Sequence, residues 1–173
     1  VENELLTVVG DRVLGRGAFG AVFAGVFCGV MVAVKRPLKR LEDDDGNALR
    51  DLCNELRVMR HLRHPNIVAT LGAAFHPEER RISLVIELIE GVMLRKLIPA
   101  PGSGSTGPSL VERYQVMLGV CQALLYMHSR SPCVMHGDLK DSNVMVRVVG
   151  CDWQPKLLDF GLSRVLARRT RPL

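Results

Sequence analysis

Leu14-Gly15-Arg16-Gly17-Ala18-Phe19-Gly20-Ala21-Val22 sets three glycines at i, i+2 and i+5 between two strand-like runs. Such a loop lets backbone N–H groups close over phosphates without interference from a Cβ. An ordinary glycine-rich hairpin carries the same pattern. A dinucleotide fingerprint needs a helix after the loop, and residues 21–27 (AVFAGVF) read as a strand instead. Outward from this stretch, the apolar runs 5–9, 13–14 and 30–34 alternate with glycines and read as further short strands joined by turns.

The third run ends Val32-Ala33-Val34-Lys35. A strand buried enough to read Val-Ala-Val leaves little reason for an inward lysine unless an anion meets it; the plain alternative is an edge lysine snorkelling to water. After a solvated charged loop at 39–46, residues 48–62 show a helical stripe of Leu49, Leu52, Leu56 and Met59. Glu55 falls on that stripe, where a carboxylate should pair with a cation, and Lys35 is the obvious candidate. Pro65 ends the helical region. Segments 67–75 and 81–89 read as two more strands around a turn at 76–80. The first half is therefore five strands and one helix.

Residues 99–109 (PAPGSGSTGPS) read as a flexible surface linker. Ser109 and Glu112 then form a capping box opening a second helix to about Ser129, with Val116, Val120, Ala123, Leu124 and Met127 on its inner face. Short apolar pieces follow at 144–149 and 156–158. The fold class is α+β: a small sheet lobe, then the opening of a helical lobe. Two polar segments stand among the short pieces, His136-Gly137-Asp138-Leu139-Lys140-Asp141-Ser142-Asn143 and Asp159-Phe160-Gly161. Asp138 can accept a proton. Asn143 and Asp159 offer hard oxygen ligands suited to Mg²⁺ bound with nucleotide phosphates. Taken singly, both segments are also good turn sequences.

The 173 residues are 47% apolar and 24% charged, which suits one globular domain and excludes a disordered chain. No apolar run approaches the ~18–20 residues of a membrane span, and no leader peptide is visible. Lys plus Arg is 23 against 18 for Asp plus Glu, a net charge of +5. Four of those arginines, Arg164, Arg168, Arg169 and Arg171, lie in the last ten residues. The basic character is thus a short tail, with no aromatic platform for nucleic acid. Cys28, Cys53, Cys121, Cys133 and Cys151 are odd in number, widely spaced and without CxxC, which implies reduced core thiols in a cytosolic or nuclear compartment.

In order, these segments resemble the eukaryotic protein-kinase signature. Gly15, Gly17, Gly20 and Val22 match its glycine loop, Val32–Lys35 its V-A-I-K strand, His136 to Asn143 its H-R-D-L-K-x-x-N loop and Asp159-Phe160-Gly161 its D-F-G. Ile86-Glu87-Leu88-Ile89 resembles the gatekeeper and hinge, and His64-Pro65-Asn66-Ile67-Val68 the link after the regulatory helix. The flavour is most like the tyrosine-kinase-like group of Ser/Thr kinases, and Lys140 is similar to Ser/Thr rather than tyrosine kinases. The resemblance implies a protein kinase domain over 1–173, present in part: 5–89 as N-lobe to hinge and 90–173 as the start of the C-lobe. It implies ATP and Mg²⁺ as cofactors, a protein substrate with a Ser/Thr acceptor, no nucleic acid, no membrane span and a cytoplasmic setting. Leu14 would be among the ATP-binding residues, and the backbone of Gly15, Gly17, Ala18, Phe19 and Gly20 would cover the phosphates. Lys35, held by Glu55, would contact the α- and β-phosphates. Val22 and Ala33, with Met145, would sandwich adenine, and Glu87 and Ile89 would read its edge. Asn143 and Asp159 would hold Mg²⁺. Asp138 would orient the substrate hydroxyl and accept its proton, with Lys140 near the γ-phosphate. Met59, His136 and Phe160 would belong to one stacked spine.

Two departures from the family stand out. Gly137 replaces the arginine that usually reads an activation-loop phosphate. The His-Gly-Asp triplet is also similar to small-molecule phosphotransferases of the aminoglycoside and choline kinase type, although Asp-Phe-Gly and the complete glycine loop weigh against them. Only twelve residues follow Gly161. The expectation for this chain by itself is therefore negligible turnover, the alternative role being that of a nucleotide-binding or scaffolding fragment.

Overall fold

The computed structural model describes residues 6–17, 20–37, 47–78, 81–100, 102, 104 and 106–166. The expected roles of Ala18 and Phe19, the charged loop at 39–46 and the arginines at 168, 169 and 171 lie outside the described residues. The chain divides into two compact units, Val1–Arg60 with Ala69–Leu88, and His61–Val68 with Ile89–Leu173. The change of unit near residue 89 falls where the hinge-like stretch stands, and the link at His61–Val68 belongs to the second unit.

The first unit is a five-stranded antiparallel sheet in the order β1-β2-β3-β5-β4. Its strands are β1 (Leu6–Gly17), β2 (Gly20–Phe27), β3 (Val30–Pro37), β4 (Thr70–His76) and β5 (Arg81–Glu87), with helix α1 (Asn47–Met59) lying against β4. Side chains alternate between faces along a strand. One face gives a core of Leu6, Val32, Val34, Ala74 and Val85, with Val8 and Phe27 packed on it. The runs at 5–9 and 13–14 both lie on β1, which passes the polar residues 10–12 through register irregularities against β2. A bulge of this kind takes in extra residues without ending the ladder. Cys28 and Gly29 make the β2–β3 turn with φ of 49° and 79°, the positive values that two-residue hairpins require. The strand expected at 67–75 starts only at Thr70, because Ile67 and Val68 join Leu157 of the second unit's own sheet.

The second unit holds β6 (Val92–Met93), a short α2 (Leu94–Leu97), α3 (Leu110–Ser129), β7 (Cys133–Met135), a 3-10 turn (Asp141–Asn143), β8 (Val144–Val149), β9 (Asp152–Leu157) and β10 (Arg164–Leu166). Its strands form two small sheets, β6-β8-β9 and β10-β7. The capping box forms as expected: Glu112 N–H donates to Ser109 Oγ at 3.4 Å and Ser109 N–H to Glu112 Oε2 at 2.6 Å. α3 packs on β9 through Val116, Gly119, Ala123 and Met127, while Val120 and Leu124 are half-buried. Gly119 is needed there, since a Cβ would sit 2.6 Å from the Pro155 ring and 2.9 Å from Asn66 Nδ2. Asn66 Nδ2 donates to the Pro155 carbonyl at 2.8 Å and so ties the link to β9. Among the described residues no helix is long and apolar enough to cross a membrane.

The cysteines correct an expectation. All five are free, but Cys28, Cys53, Cys121 and Cys151 are exposed and Cys133 is half-buried, so none is a core thiol. Two stand at turns and two on outer helical faces, positions that spacing along the chain does not reveal.

Candidate active site

In the first unit, Lys35 lies near the end of β3 with Val22 of β2 and Leu84 of β5 directly opposite it. Ala33, two residues back, shares its face by the period of the strand. That face therefore presents Val22, Ala33 and Lys35 together. Lys35 Nζ reaches Glu55 Oε2 on α1 at 2.7 Å, with the two side chains 18% and 4% exposed. The inward lysine meets its anion, and the carboxylate on the apolar stripe meets its cation. Removing either partner of so buried a pair costs about 3–5 kcal/mol, because the other charge stays behind.

The glycines of the β1–β2 hairpin differ from one another. A Cβ at Gly20 would run into the Arg36 carbonyl oxygen, so the sheet itself demands glycine there. At Gly15 nothing lies within 4 Å and φ is not positive. Neither packing nor a left-handed backbone requires glycine there. Leu14 is exposed. At the far end of β5, Glu87 N–H donates to the Ala69 carbonyl at 2.9 Å, and Ala69 N–H donates to Glu87 Oε1 at 2.7 Å.

The second unit gathers His136, Asp138, Lys140, Asn143, Asp159 and Phe160. His136 is buried, its ring 4.8 Å from that of Phe160. Its Nε2 is 2.9 Å from the Leu158 carbonyl and its Nδ1 accepts the Asp138 N–H at 3.3 Å. Burial pushes the imidazole below its ordinary pKa, against the opposing pull of the Leu158 carbonyl and the nearby carboxylates. The Asp138 carboxylate accepts from Lys140 Nζ at 2.6 Å and from Asn143 Nδ2 at 2.9 Å. The Lys140 hydrogen bond, more than any other influence, holds that carboxyl below the usual carboxylate range. Asn143 Nδ2 also donates to the Asp138 carbonyl at 2.8 Å, and the Leu158 N–H donates to the Asn143 carbonyl at 2.9 Å. This fixes the 3-10 turn against the segment that carries Asp159. Asp159 has φ of 60°, a left-handed conformation costly for a residue with a Cβ. Ser163 Oγ donates to the His136 carbonyl at 2.9 Å, an anchor that sequence reasoning missed because a single serine after Asp-Phe-Gly gives no signal.

Met145 sits on β8 opposite Met93 and Lys156, and Ile89 is buried in the second unit. Lys35, Glu55, Val22, Ala33, Glu87 and Met59 belong to the first unit. Among the described residues no cluster of three or more His, Cys, Asp or Glu is placed to hold a metal ion. The oxygens of Asn143 and Asp159 nonetheless fit Mg²⁺, which is held by one or two carboxylates together with substrate phosphates rather than by an all-protein cage.

Comparison with known proteins shows the family. Residues 9–172 match the protein kinase domain family, and the chain belongs to it. It is 38% identical over 159 residues to "Probable serine/threonine-protein kinase SIS8" of Arabidopsis thaliana, covering 91% of this chain and 14% of that protein. It is 36% identical over 154 residues to "Cysteine-rich receptor-like protein kinase 7" of the same plant, covering 88% of this chain and 22% of that protein. "Kinase and exchange factor for Rac A" of Dictyostelium discoideum is 35% identical over 156 residues, which is 88% of this chain and 11% of that protein. The chain thus spans less than a quarter of the length of these relatives.

Proposed function

We propose that the chain is part of a protein serine/threonine kinase that binds Mg·ATP and transfers its γ-phosphoryl group to Ser or Thr hydroxyls of a protein. The observation that carries this reading is the buried Lys35–Glu55 pair at 2.7 Å, a cation fixed beside Val22 and Ala33 on one face of the sheet. Lys35 neutralises the α- and β-phosphates. The amides around Gly15, Gly17 and Gly20 approach the phosphate chain, and Val22, Ala33 and Met145 supply apolar contact to the base. Asn143 and Asp159 give oxygen ligands to Mg²⁺. Asp138, whose carboxyl Lys140 holds below the usual carboxylate range, is ionised at neutral pH and so can orient the attacking hydroxyl and accept its proton. Lys140, already beside Asp138, adds positive charge where negative charge develops. Bound Mg·ATP supplies the phosphoryl group, and the protein's part is positioning and charge neutralisation.

Nucleotide titration of the protein carrying this chain tests the proposal. The Lys35→Ala, Asp159→Ala double variant should lose Mg·ATP binding while wild type retains it; equal affinity in both defeats the reading. Phosphate transfer to a generic basic protein supports a protein kinase, whereas transfer only to an aminoglycoside or choline assigns the chain to the small-molecule phosphotransferases instead.

A further inference from the structure

The ladder between β4 and β5 ends in an unusual pair. Thr70 stands opposite Ile86, and one step further Ala69 meets Glu87. In a continuing antiparallel ladder two such residues exchange both main-chain bonds, each N–H going to the other's carbonyl. One of these is present, from Glu87 N–H to the Ala69 carbonyl at 2.9 Å. The return bond, from Ala69 N–H, goes at 2.7 Å to the Glu87 side-chain carboxylate. On its other side Glu87 stands opposite Val32 of β3. A carboxylate accepting from a backbone N–H is a strong, charge-assisted partner, so residue 87 is pinned to Ala69 at two points where the chain leaves the sheet.

We infer that the Glu87 carboxylate is a positioning residue for purine recognition: it takes the last ladder donor, Ala69 N–H, so that the main-chain carbonyl of residue 87 serves the 6-amino group of adenine. This rests on the nucleotide reading above and adds a cause of base choice to it. A carbonyl can only accept. It pairs with the 6-amino donor of adenine and opposes the 6-oxo acceptor of guanine. If the side chain is removed, Ala69 N–H must seek another acceptor, and the nearest in ladder geometry is that same carbonyl. Adenine then shares that carbonyl with Ala69 N–H and is held less well, while guanine meets a weaker repulsion.

Affinities for Mg·ATP and Mg·GTP, with thermal melting, measured on the protein carrying this chain provide the test. Glu87→Leu is expected to weaken ATP binding by about three- to tenfold, the size of one hydrogen bond. GTP binding should weaken less or improve, so the ATP-to-GTP preference falls. Glu87→Gln, whose amide oxygen can accept the same N–H, should recover most of that preference. Glu87→Asp keeps the charge but is one methylene too short, and it should behave like Glu87→Leu; it decides the matter if the leucine variant does not fold. The inference is overturned if both nucleotides weaken equally in Glu87→Leu or Glu87→Asp, which marks a purely structural role, or if Glu87→Gln loses as much preference as Glu87→Leu. ATP binding that responds to Lys35→Ala but not to any Glu87 change removes this inference alone. Absence of ATP binding in wild type, or ATP binding indifferent to Lys35, removes the nucleotide reading with it.

Discussion

His136 is confined to one tautomer and one charge. With its Nε2–H donating to the Leu158 carbonyl and its Nδ1 accepting the Asp138 N–H, the neutral ring satisfies both neighbours. A second proton would have to sit on Nδ1, facing the Asp138 N–H, in a buried place. The native pKa therefore lies below the ordinary 6.5. The unfolded chain binds a proton near 6.5 and the native one does not, so this contribution to stability is full above that pH and is lost as pH falls toward the native pKa. His64 acts in the same sense, through burial first and Lys156 second. Melting temperature should fall between about pH 7 and about pH 5, and His136→Gln should flatten part of that slope; an unchanged slope contradicts the neutral-ring account. Asp138 titrates in a separate window: its depressed pKa stabilises the fold above the ordinary 3.8, and that stability is lost only as pH falls below it. Between these two residues, Gly137 has φ of 83°, and a Cβ there would strike the Leu162 carbonyl oxygen. The arginine usual at this position cannot be accommodated by this backbone without a shift. Gly137→Ala should lower unfolding free energy by roughly 1–3 kcal/mol, measured by denaturant titration.

In the β1–β2 hairpin one glycine is required by the fold and another is not. Gly20 lies under the Arg36 carbonyl, whereas Gly15 faces open space. Gly20→Ala should therefore lower the melting temperature. Gly15→Ala should leave stability within ~0.5 kcal/mol of wild type and reduce Mg·ATP affinity. If Gly15→Ala binds ATP as wild type does, close phosphate approach is not why glycine stands there. α3 shows how local signals set an element's start. Its capping box satisfies two backbone groups that the helix leaves unbonded. The same signal was plain in the sequence because it needs only residues three apart. β6, β7 and β10, two or three residues each, show no period and exist through partners far away in the chain. β1 shows in the sequence as two apolar runs because polar residues interrupt its alternation, and a bulged ladder tolerates that interruption.

Across the whole molecule, legibility followed the cost of leaving a group unsatisfied. A carboxylate on an apolar helical stripe had to find a cation, so the Lys35–Glu55 pair could be read from two separate segments. The Glu87–Ala69 exchange could not, because nothing in the sequence says where the β4–β5 ladder stops. Nor could the exposure of the cysteines, or the strap that 61–68 makes to Leu157, since a short apolar run does not say which sheet it will join. α3 carries a further consequence. Its inner face is buried on β9, yet Val111, Tyr114, Leu118 and Leu125, which recur at three-, four- and seven-residue steps, are 67%, 66%, 43% and 70% exposed, flanked by Leu110 and Met117. A helix apolar all round belongs in an interior, and a contiguous apolar stripe in water is an association surface. Each large side chain gains about 1.5–3 kcal/mol on burial. Several together are comparable to the ~4–15 kcal/mol that association costs, so the contact should be weak and concentration-dependent. Residues 1–173 prepared by themselves should self-associate at high concentration and bind a hydrophobic dye. Leu118→Lys with Leu125→Lys places two charges on the stripe without touching the buried face. It should reduce both signals in sedimentation and dye fluorescence while leaving helical circular dichroism unchanged. A monomeric, dye-silent wild-type chain at high concentration, or a double variant that associates as strongly as wild type, shows that the stripe does not drive association.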